Sequence, residues 1–445
     1  MPKILLLGSG FVAGPCLSYL SSFDNYQITV AARRTEAASS LVKNIKNAKS
    51  ISLDVDDQEQ LEEEIGKCDL VISLIPYIHH VKVIKAAIKT KKHVVTTSYV
   101  SQAMQDLHDQ AKEAGITVFN EIGVDPGIDH LYAIKTIDQV HKKQGKIIEF
   151  TSYCGGLPSP EASNNPLGYK FSWSSRGVLL ALKNSAKFIQ QGQVKEIRGD
   201  QLMDSVKEIP IYPAFAFVGY PNRDSTPYTE RYSIPECQTL IRGTLRYSVF
   251  PGFVKVLSTL GFLNDSECDF VSDNSKIEWK ELMQKILETS SSQEEILNRA
   301  IREKCFLSKE KEQEIFRGLK WLGLFSSELV KCKGNLLDTL CALLEEKMMY
   351  LPGERDMVML QHKFKIQWKD GSIQNQACTG LWFGEPNGPS AMATTVGVPA
   401  GIATRLILEG VIKERGVLAP MTPDLVYPII TELEAMGIKM TDEIL

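Results

Sequence analysis

The sequence predicts an α/β protein with an N-terminal doubly wound parallel sheet, a second α+β domain with a mixed sheet, and an all-helical insertion. Three observations lead to this prediction. Short apolar segments alternate with amphipathic ones over the first 125 residues, as in a sheet covered by helices on both faces. The first apolar segment runs directly into a glycine-rich turn. After Phe250 the sequence becomes polar, with apolar residues at helical spacing.

The first strand and the turn after it carry a dinucleotide-binding fingerprint. Gly8 permits the tight turn, Gly10 lets backbone amides approach a pyrophosphate, and Ala13 is small enough for the next helix to pack on the strand. The phosphates would lie at the helix N-terminus, where unpaired N–H groups and the helix dipole favour negative charge. Since a strand precedes the glycines and a helix follows, a Rossmann-type domain is favoured over a turn that merely requires small residues.

Six parallel strands are predicted in this domain, each short and mostly aliphatic or β-branched. They are Ile4–Leu7, Ile28–Ala32, Ile51–Asp54, Leu70–Ile75, Val94–Thr97 and Ile116–Asn120. Amphipathic segments such as Gln58–Ile65 and Val83–Ile88 supply the crossover helices. Because ligands of such sheets bind beyond the carboxyl ends of the strands, the residues after each strand are candidates for binding.

The second strand ends in Ala32-Arg33-Arg34, with no acidic residue. An acid here usually accepts the ribose 2′-hydroxyl of NAD, whereas the 2′-phosphate of NADP requires a cation. The sequence therefore favours NADP over NAD. The two arginines could instead form a solvated basic patch, which the dipole of the following helix would disfavour slightly. Asp54 and Val55 close the third strand, where they could flank the adenine or Asp54 could cap the next helix.

The remaining strands end in residues suited to the reacting end of a cofactor. An apolar wall, Ile75 to Tyr77, closes the fourth strand, and a polar cluster, Thr97-Ser98-Tyr99, closes the fifth. After the sixth, a Gly- and Pro-rich turn is expected to point Asp125 at the cofactor–substrate cleft.

Two further polar residues of that turn, Asp129 and His130, are expected to cap the helix Leu131–His141 rather than to act in catalysis. No third ligand stands at metal-binding spacing, so no metal site is predicted.

Length and composition limit the classes of protein. The 445 residues suggest two or three domains, and a net charge of −4 gives no indication of nucleic-acid or membrane binding. No apolar run is expected to approach the roughly 18 residues of a membrane span. The N-terminus enters a strand at once, so no signal peptide is expected. Nine cysteines without a CxxC pair read as reduced thiols, which favours the cytoplasm.

We expect four parts: a dinucleotide-binding domain (1–128), a mixed-sheet domain (129–252 with 350–390), a helical insertion (253–349), and a C-terminal helical segment packing back near the cleft (391–445). Predicted strands of the second domain are Ile148–Tyr153, Phe215–Tyr220, Thr239–Tyr247 and the hairpin Met357–Trp368 with Ser372–Cys378. A helix is predicted at Gly177–Ile189, and Ser292 to Glu295 is interpreted as a capping box.

Six motifs in order resemble those of the saccharopine dehydrogenases, of the NADP-dependent, glutamate-forming kind. They are Asp125–His130, Ser152–Pro158, Asn165–Ser174, Tyr220–Ser225, Arg242–Tyr247 and Ser390–Ala393. The resemblance extends from the first strand to about Glu434. The chain is similar to the free-standing fungal type, since it is too short to include the lysine-ketoglutarate reductase half found in animals and plants.

This resemblance implies a step of lysine biosynthesis in the aminoadipate pathway. NADPH reduces the imine of L-glutamate with L-2-aminoadipate 6-semialdehyde, giving saccharopine. Besides Gly8 of the fingerprint, the cofactor contacts of the family match Ser9, Gly10, Phe11, Val12, Ala32, Arg33, Asp54, Val55, Ile75, Thr97, Ser98, Val124, Asp125, Pro126 and Ser174. Its substrate contacts match Ser98, Tyr99, Asp125, Arg223, Thr244, Leu245 and Arg246. We also expect a homodimer.

The chemistry of the substrate agrees with these residues. Saccharopine carries three carboxylates and a secondary amine, and arginine binds carboxylates in a planar, bidentate manner. Arg223 and Arg246 are the best candidates, although each could instead form a surface ion pair of little energetic weight. Lys170 and Arg176 are weaker candidates of the same kind.

Three groups are candidates for acid–base chemistry or hydrogen bonding to the reacting amine: Asp125, Tyr99 and Cys154. A carboxylate can act mainly by holding and orienting the amine charge, with water carrying protons. Cys154 is more readily explained as a small packed thiol, since free cysteine is among the most buried residue types.

Two other functions are compatible with a dinucleotide-binding fold. The first is another NADP-dependent amino-acid or semialdehyde dehydrogenase, but the aldehyde-acylating ones need a nucleophilic cysteine with a nearby histidine, and Cys154-Gly155-Gly156 shows no such signature. The second is a non-catalytic NADP-binding scaffold, which predicts decay of the substrate loops. Arg223, Arg246 and Tyr99 are nevertheless all present.

Overall fold

A computed structural model describes residues 1–445, and the chain divides into two compact units. The first unit contains Met1–Ser152, Tyr228–Cys237 and Leu360–Leu445. The second contains Tyr153–Pro227 and Gln238–Met359. The first unit is therefore assembled from three separate stretches of chain.

Six parallel strands begin the first unit, and their order in the sheet is β6-β5-β4-β1-β2-β3. They are β1 (Lys3–Leu7), β2 (Gln27–Ala32), β3 (Ala48–Ser52), β4 (Leu70–Ser73), β5 (His93–Thr96) and β6 (Thr117–Phe119). β3 begins three residues earlier than the predicted strand Ile51–Asp54. It pairs only with β2, and as an edge strand it tolerates the exposed polar residues that hid it from the hydrophobic pattern.

Helices cover both faces of this sheet, as predicted for a doubly wound fold. They are α1 (Ala13–Ser21), α2 (Thr35–Val42), α3 (Gln58–Gly66), α4 (His80–Thr90), α5 (Gln102–Gln105), α6 (His108–Glu113) and α7 (Ile128–Lys142). Leu61 and Ile65 of α3 and Val83 and Ile84 of α4 are fully buried in one apolar cluster with strand residues such as Val71. This burial supplies most of the energy that holds the helices on the sheet.

The middle of the chain forms antiparallel strands in the second unit. The chain passes from the first unit to the second within β7 (Lys146–Pro158). The elements that follow are α8 (Ser175–Ala181), β8 (Ala186–Gln190), β9 (Gln193–Ile197), β10 (Lys207–Glu208), β11 (Phe217–Pro221), α9 (Tyr228–Arg231, in the first unit) and β12 (Thr239–Tyr247). β11 pairs with β10 and β12, and β8 pairs with β12 and β9.

The predicted helix Gly177–Ile189 is wrong in its second half. α8 ends at Ala181, and Ala186–Gln190 is a strand. Ala186 and Phe188 are buried while Lys187 between them is exposed, which is the two-residue period of a strand rather than the helical period.

Five helices follow in the second unit, as predicted for the insertion: α10 (Phe250–Thr259), α11 (Trp279–Leu287), α12 (Glu294–Cys305), α13 (Lys309–Leu322) and α14 (Leu336–Lys347). Their apolar residues at helical spacing, such as Leu297, Ile301, Leu319 and Leu340, are fully buried. The predicted capping box before α12 is wrong. The helix begins at Glu294, so the N-cap is Gln293 rather than Ser292. Gln293 makes no side-chain capping bond.

The chain then returns to the first unit with β13 (Asp356–Gln367), β14 (Ile373–Phe383), α15 (Ala391–Leu408), β15 (Gly416–Leu418), α16 (Pro423–Ala435) and β16 (Thr441–Ile444). β15 adds to the parallel sheet beside β6 as its seventh strand, and β16 pairs with β14. α15 packs along α1, where the Arg405 guanidinium donates to the Tyr19 hydroxyl at 2.9 Å. The predicted fold class is confirmed.

α15 corrects one expectation from the sequence. It is long and apolar enough to span a membrane by length and composition alone, although no apolar run was expected to approach that size. Of these residues, 72% are buried inside the protein, as in the core helix of a globular domain. Ala, Gly and Thr make its surface flat enough for the close packing on α1.

Candidate active site

The fingerprint turn has the shape that a pyrophosphate requires. Gly8 has a φ of +107°, and a Cβ there would lie 2.8 Å from the carbonyl oxygen of Leu74, so no other residue fits. A Cβ on Gly10 would meet no atom within 4 Å, so the turn opens outward at that point. The N-cap of α1, Val12, provides no side-chain acceptor, so no side chain occupies the place of an anion at this helix N-terminus. The Ala13 N–H already donates to the Gly10 carbonyl at 3.1 Å. These residues fit a dinucleotide.

The ends of β2 and β3 carry Arg33, the predicted cation, and show whether Asp54 caps the next helix. Arg33 is exposed directly after β2. Asp54 does not cap α3, because that role falls to Asp57, whose carboxylate accepts the Gln60 N–H at 3.1 Å. Asp54 instead accepts the N–H of Asp56 at 3.0 Å. Its predicted place beside the adenine, and that of Val55, stay predictions.

A buried histidine that the sequence did not single out connects the ends of β4 and β5. Nδ1 of His80 lies 2.9 Å from the Ser73 hydroxyl, and Nε2 lies 2.9 Å from the Ser98 hydroxyl and 3.1 Å from that of Thr96. Burial lowers the pKa of His80 to about 4, with a smaller contribution from His79. The imidazole is therefore neutral near pH 7, and it fixes the orientation of the predicted cofactor and substrate residue Ser98.

Two predicted catalytic residues of the first unit contact each other. The Tyr99 hydroxyl donates to Oδ1 of Asp125 at 2.7 Å, and both side chains are half-buried. The turn that carries Asp125 is closed by the N–H of Gly123, which donates to the Pro126 carbonyl at 2.8 Å. Gly127 has a φ of +149°, and a Cβ there would lie 2.0 Å from the carbonyl oxygen of Gly123. Only glycine therefore allows the loop that places Asp125 opposite Tyr99.

The prediction that Asp129 and His130 cap the next helix is wrong for His130. α7 begins at Ile128, two residues before it. Asp129 does act at the helix start, where its carboxylate accepts the Gly127 N–H at 2.6 Å. His130 is instead fully buried, with Nε2 2.8 Å from the Glu121 carboxylate and Nδ1 2.7 Å from the Tyr232 hydroxyl. Tyr232 lies 102 residues from His130, and Glu121 lies across the loop that precedes α7, so no helical or strand period in the sequence indicated these contacts.

In the second unit, Arg246 of β12 is a buried cation without an acidic partner. Its side chain is 6% exposed; Nη1 donates to the Leu245 carbonyl at 2.7 Å, and Nε has no hydrogen-bond partner. The rings of Tyr169 and Phe250 lie 5.0 and 5.3 Å from the guanidinium carbon. A buried charge left partly unsatisfied is costly, and it indicates a site for an anionic ligand.

The two weaker candidates are already engaged. Lys170 donates to Glu354, and Arg176 donates to Asp338 at 2.8 Å. Because these cations have acidic partners, they are less suited than Arg246 to bind a carboxylate of a substrate. Arg223 is exposed and has a positive φ of 54°, and its carbonyl accepts the Lys187 N–H at 2.8 Å.

The other predicted residues of the second unit lie on strands or at a helix start. Thr244 and Leu245 of β12 pair with Tyr220 and Gly219 of β11, Cys154 is buried in β7, and Ser174 caps α8 by accepting the Gly177 N–H at 3.1 Å. In the first unit, Ser9, Ile75 and Thr97 are half-buried, Phe11 is exposed, and Val124 and Pro126 are buried in the Asp125 loop.

None of the nine cysteines forms a disulfide, and no group of three or more His, Cys, Asp or Glu side chains converges as metal ligands would.

Comparison with known proteins shows similarity to one protein family along nearly the whole chain. Residues 4–119 match the family model of the saccharopine dehydrogenase NADP binding domain, and residues 123–438 match that of the saccharopine dehydrogenase C-terminal domain. The chain is 54% identical to saccharopine dehydrogenase [NADP(+), L-glutamate-forming] of Schizosaccharomyces pombe, covering 100% of this chain and 99% of that protein. It is 40% identical to the mitochondrial alpha-aminoadipic semialdehyde synthase of Bos taurus, of which it covers 48%.

A solved structure with the same fold comes from yeast. The apo, histidine-tagged saccharopine dehydrogenase (L-Glu forming) from Saccharomyces cerevisiae superimposes with a TM-score of 0.94 at 49% identity, over 100% of both chains.

Proposed function

Because the chain belongs to the saccharopine dehydrogenase family, we propose that it interconverts saccharopine with L-glutamate and L-2-aminoadipate 6-semialdehyde, using NADP, in lysine biosynthesis. The resemblance predicted from the six motifs is thereby confirmed. The observation that carries the proposal is the full-length match, at 54% identity, to a protein named for the NADP-dependent, glutamate-forming activity.

The first unit supports a role in holding NADP. Gly8 and Gly10 give the turn a shape that suits a pyrophosphate. Arg33, which is exposed directly after β2, is proposed to bind the 2′-phosphate. When bound, the cofactor exchanges a hydride with the carbon of the imine. The buried network of His80 holds Ser98 at the end of β5, which gives the adjoining part of the cofactor and the substrate a fixed hydroxyl to contact.

The Tyr99–Asp125 pair is proposed to hold the reacting nitrogen. An imine that accepts hydride reacts as its protonated, positively charged form, and the product is a secondary ammonium ion. The Asp125 carboxylate can stabilise both charges, and the hydrogen bond from Tyr99 at 2.7 Å fixes its orientation. A carboxylate held in this way acts by electrostatics and positioning, while water carries protons to and from the nitrogen.

Arg246 is proposed to bind one carboxylate of the substrate. The Nε donor of its guanidinium is left without a partner inside a buried, aromatic environment, and a carboxylate arriving there would accept a charge-assisted hydrogen bond from it. Arg223, Thr244 and Leu245 are proposed as further substrate contacts, on the motif match alone.

Cys154 is proposed to pack rather than to react. Hydride transfer to an imine needs no thiol nucleophile, and the side chain is buried in β7. This argues against the alternative of an acylating semialdehyde dehydrogenase, which depends on such a thiolate.

We further propose a homodimer in the cytoplasm. The absence of disulfides among the nine cysteines favours a reducing compartment. Sedimentation equilibrium of the purified chain tests the dimer, and a single species with the mass of one chain would contradict it.

The function is tested with the purified chain by following NADPH absorbance. Saccharopine should reduce NADP, with NAD as control cofactor. In the reverse direction NADPH should be oxidised only when both glutamate and the semialdehyde are present. Oxidation with the semialdehyde alone would indicate a different dehydrogenase, and no turnover in either direction would indicate a scaffold.

A further inference from the structure

Glu121 contacts the backbone on both sides of Tyr99. Its backbone N–H donates to the Ser98 carbonyl at 3.1 Å. Its side-chain Oε1 accepts the Val100 N–H at 3.0 Å. One residue therefore fixes the peptide groups before and after Tyr99, so that the tyrosine side chain leaves the backbone from a held position.

The second carboxylate oxygen of Glu121 is anchored by an arginine and a histidine side chain. Oε2 lies 2.8 Å from Nη2 of Arg231 and 2.8 Å from Nε2 of His130. Burial alone would raise the pKa of Glu121, but His130, Arg231 and the Val100 N–H outweigh it and lower the pKa to about 2. The side chain is therefore a fully buried anion. The contacts to Oε2 prevent the carboxylate from rotating, and Oε1 holds the Val100 N–H.

The backbone of Glu121 is strained in a way that this arrangement explains. Its φ is +56°, in the left-handed region that residues other than glycine and asparagine rarely adopt. Such a conformation is unfavourable and persists only where the surroundings impose it. Here it lets the N–H and the carboxylate of the same residue reach the two peptide groups that flank Tyr99.

We propose that Glu121 is a positioning residue that holds Tyr99 so that its hydroxyl reaches Asp125. The tyrosine donates to Asp125 at 2.7 Å, a distance that a shift of about 1 Å in the Ser98–Val100 backbone would lengthen beyond hydrogen-bonding range. Glu121 contacts neither reacting group itself. The inference rests on the proposed function, since it assigns Glu121 a part in that reaction.

The test is a double-mutant cycle between Glu121→Gln and Tyr99→Phe, measured as kcat/KM for saccharopine. Glutamine keeps the size of the side chain but cannot accept from Val100, Arg231 and His130 as the anion does. We expect each single change to lower kcat/KM about 10-fold, with the KM for NADP unchanged. The double variant should be no worse than either single variant, because Glu121 then has no hydroxyl left to position.

The matched control is Glu434→Gln in the same unit. That carboxylate also accepts from a tyrosine and a cation, Tyr132 at 3.1 Å and Lys135 at 2.8 Å, and it makes no bond to residues 98–100. It should leave kcat/KM unchanged with or without Tyr99→Phe. Losses of Glu121→Gln and Tyr99→Phe that multiply to about 100-fold would overturn the inference, as would an equal loss in NADP affinity.

A second measurement is independent of turnover. Hydrogen–deuterium exchange of a peptide spanning Ser98 to Val100 should be slow in the wild-type chain and faster in Arg231→Gln, which loosens the anchor at a half-buried side chain and is the safer variant if Glu121→Gln does not fold. Unchanged exchange would overturn the inference even if the wild-type chain proved inactive with saccharopine, and that inactivity would by itself count only against the proposed function.

Discussion

Replacement of Arg246 should have opposite effects on substrate binding and on the stability of the free protein. The guanidinium is buried, donates one hydrogen bond to the Leu245 carbonyl, and has an Nε without a partner. Met is of similar length and carries no charge, so Arg246→Met removes both the buried cation and its unsatisfied donor. Arg246→Lys keeps the charge but loses the planar fork.

The magnitudes follow from the number of bonds that a carboxylate would lose. One hydrogen bond to a charged group contributes about 1.5–3 kcal/mol, so the loss of one bond in Arg246→Lys should raise the KM for saccharopine roughly 10- to 150-fold. Arg246→Met loses the whole fork, about 3–6 kcal/mol, and kcat/KM should fall by roughly two to four orders of magnitude. Without substrate, Arg246→Met should be no less stable than the wild type, since replacing a poorly satisfied buried charge with an apolar group is often neutral or stabilising.

Three measurements decide the matter. Saccharopine-dependent reduction of NADP gives KM and kcat, fluorescence titration gives the affinity for NADPH, and thermal unfolding without ligand gives stability. Arg176→Lys is the control, because Arg176 is exposed and already bound to Asp338, and it should change none of the three. A loss of NADPH affinity as large as the loss for saccharopine would show that Arg246 serves the cofactor or the fold. A large drop in the stability of Arg246→Met would show that its cation is satisfied in the free protein.

Three further predictions concern the first unit. Arg33→Ala should weaken NADP roughly 10- to 150-fold by loss of one charge-assisted contact while hardly affecting NAD, and equal losses for both cofactors would refute its role at the 2′-phosphate. Asp125→Ala should lower kcat/KM about 10- to 100-fold without changing the shape of the pH profile, and loss of a whole limb of the profile would make Asp125 the general base. His80 has its pKa lowered from 6.5 to about 4, so between these pH values the unfolded chain binds a proton that the folded chain does not. The free energy of unfolding should therefore fall by about 3 kcal/mol as the pH drops through this window, and by less in His80→Gln. Denaturant unfolding at both ends of the window measures this. An equal fall in the free energy of unfolding for the two proteins would contradict the prediction.

Regular segments could be predicted from the sequence because their signal is local. β12 was predicted with its observed bounds, Thr239–Tyr247, since its Thr, Ile and Tyr residues are of the types that favour strands. Ala186–Gln190 was mistaken for helix because five residues, two of them buried, are too few to separate a period of 2 from one of 3.6.

The site could be predicted only in part, for a related reason. Asp125 lies in a loop marked by Gly and Pro, so its exposure to a ligand was predictable. His80 and Glu121 were missed because their roles depend on partners such as Ser98 and Arg231, 18 and 110 residues away. Hydrogen bonds between distant residues leave no periodic pattern in a single sequence. The absence of an acidic partner for Arg246 likewise becomes visible only when its surroundings are known.

The assembly of the first unit from separate stretches of chain has a consequence for folding during synthesis. In its parallel sheet, β6 pairs with β5 but lacks its second neighbour until β15 (Gly416–Leu418) is made, and α1 lacks its partner α15. About 300 residues separate Phe119 from Leu418, which at roughly 5–20 residues per second is about 15–60 s of translation. Throughout that interval the nascent cofactor-binding half keeps an open strand edge and an uncovered apolar helix face, and such surfaces attract chaperones and aggregation alike. Residues 4–119 are thus a unit of sequence similarity but not a unit of folding, and a fragment ending there should expose both surfaces permanently.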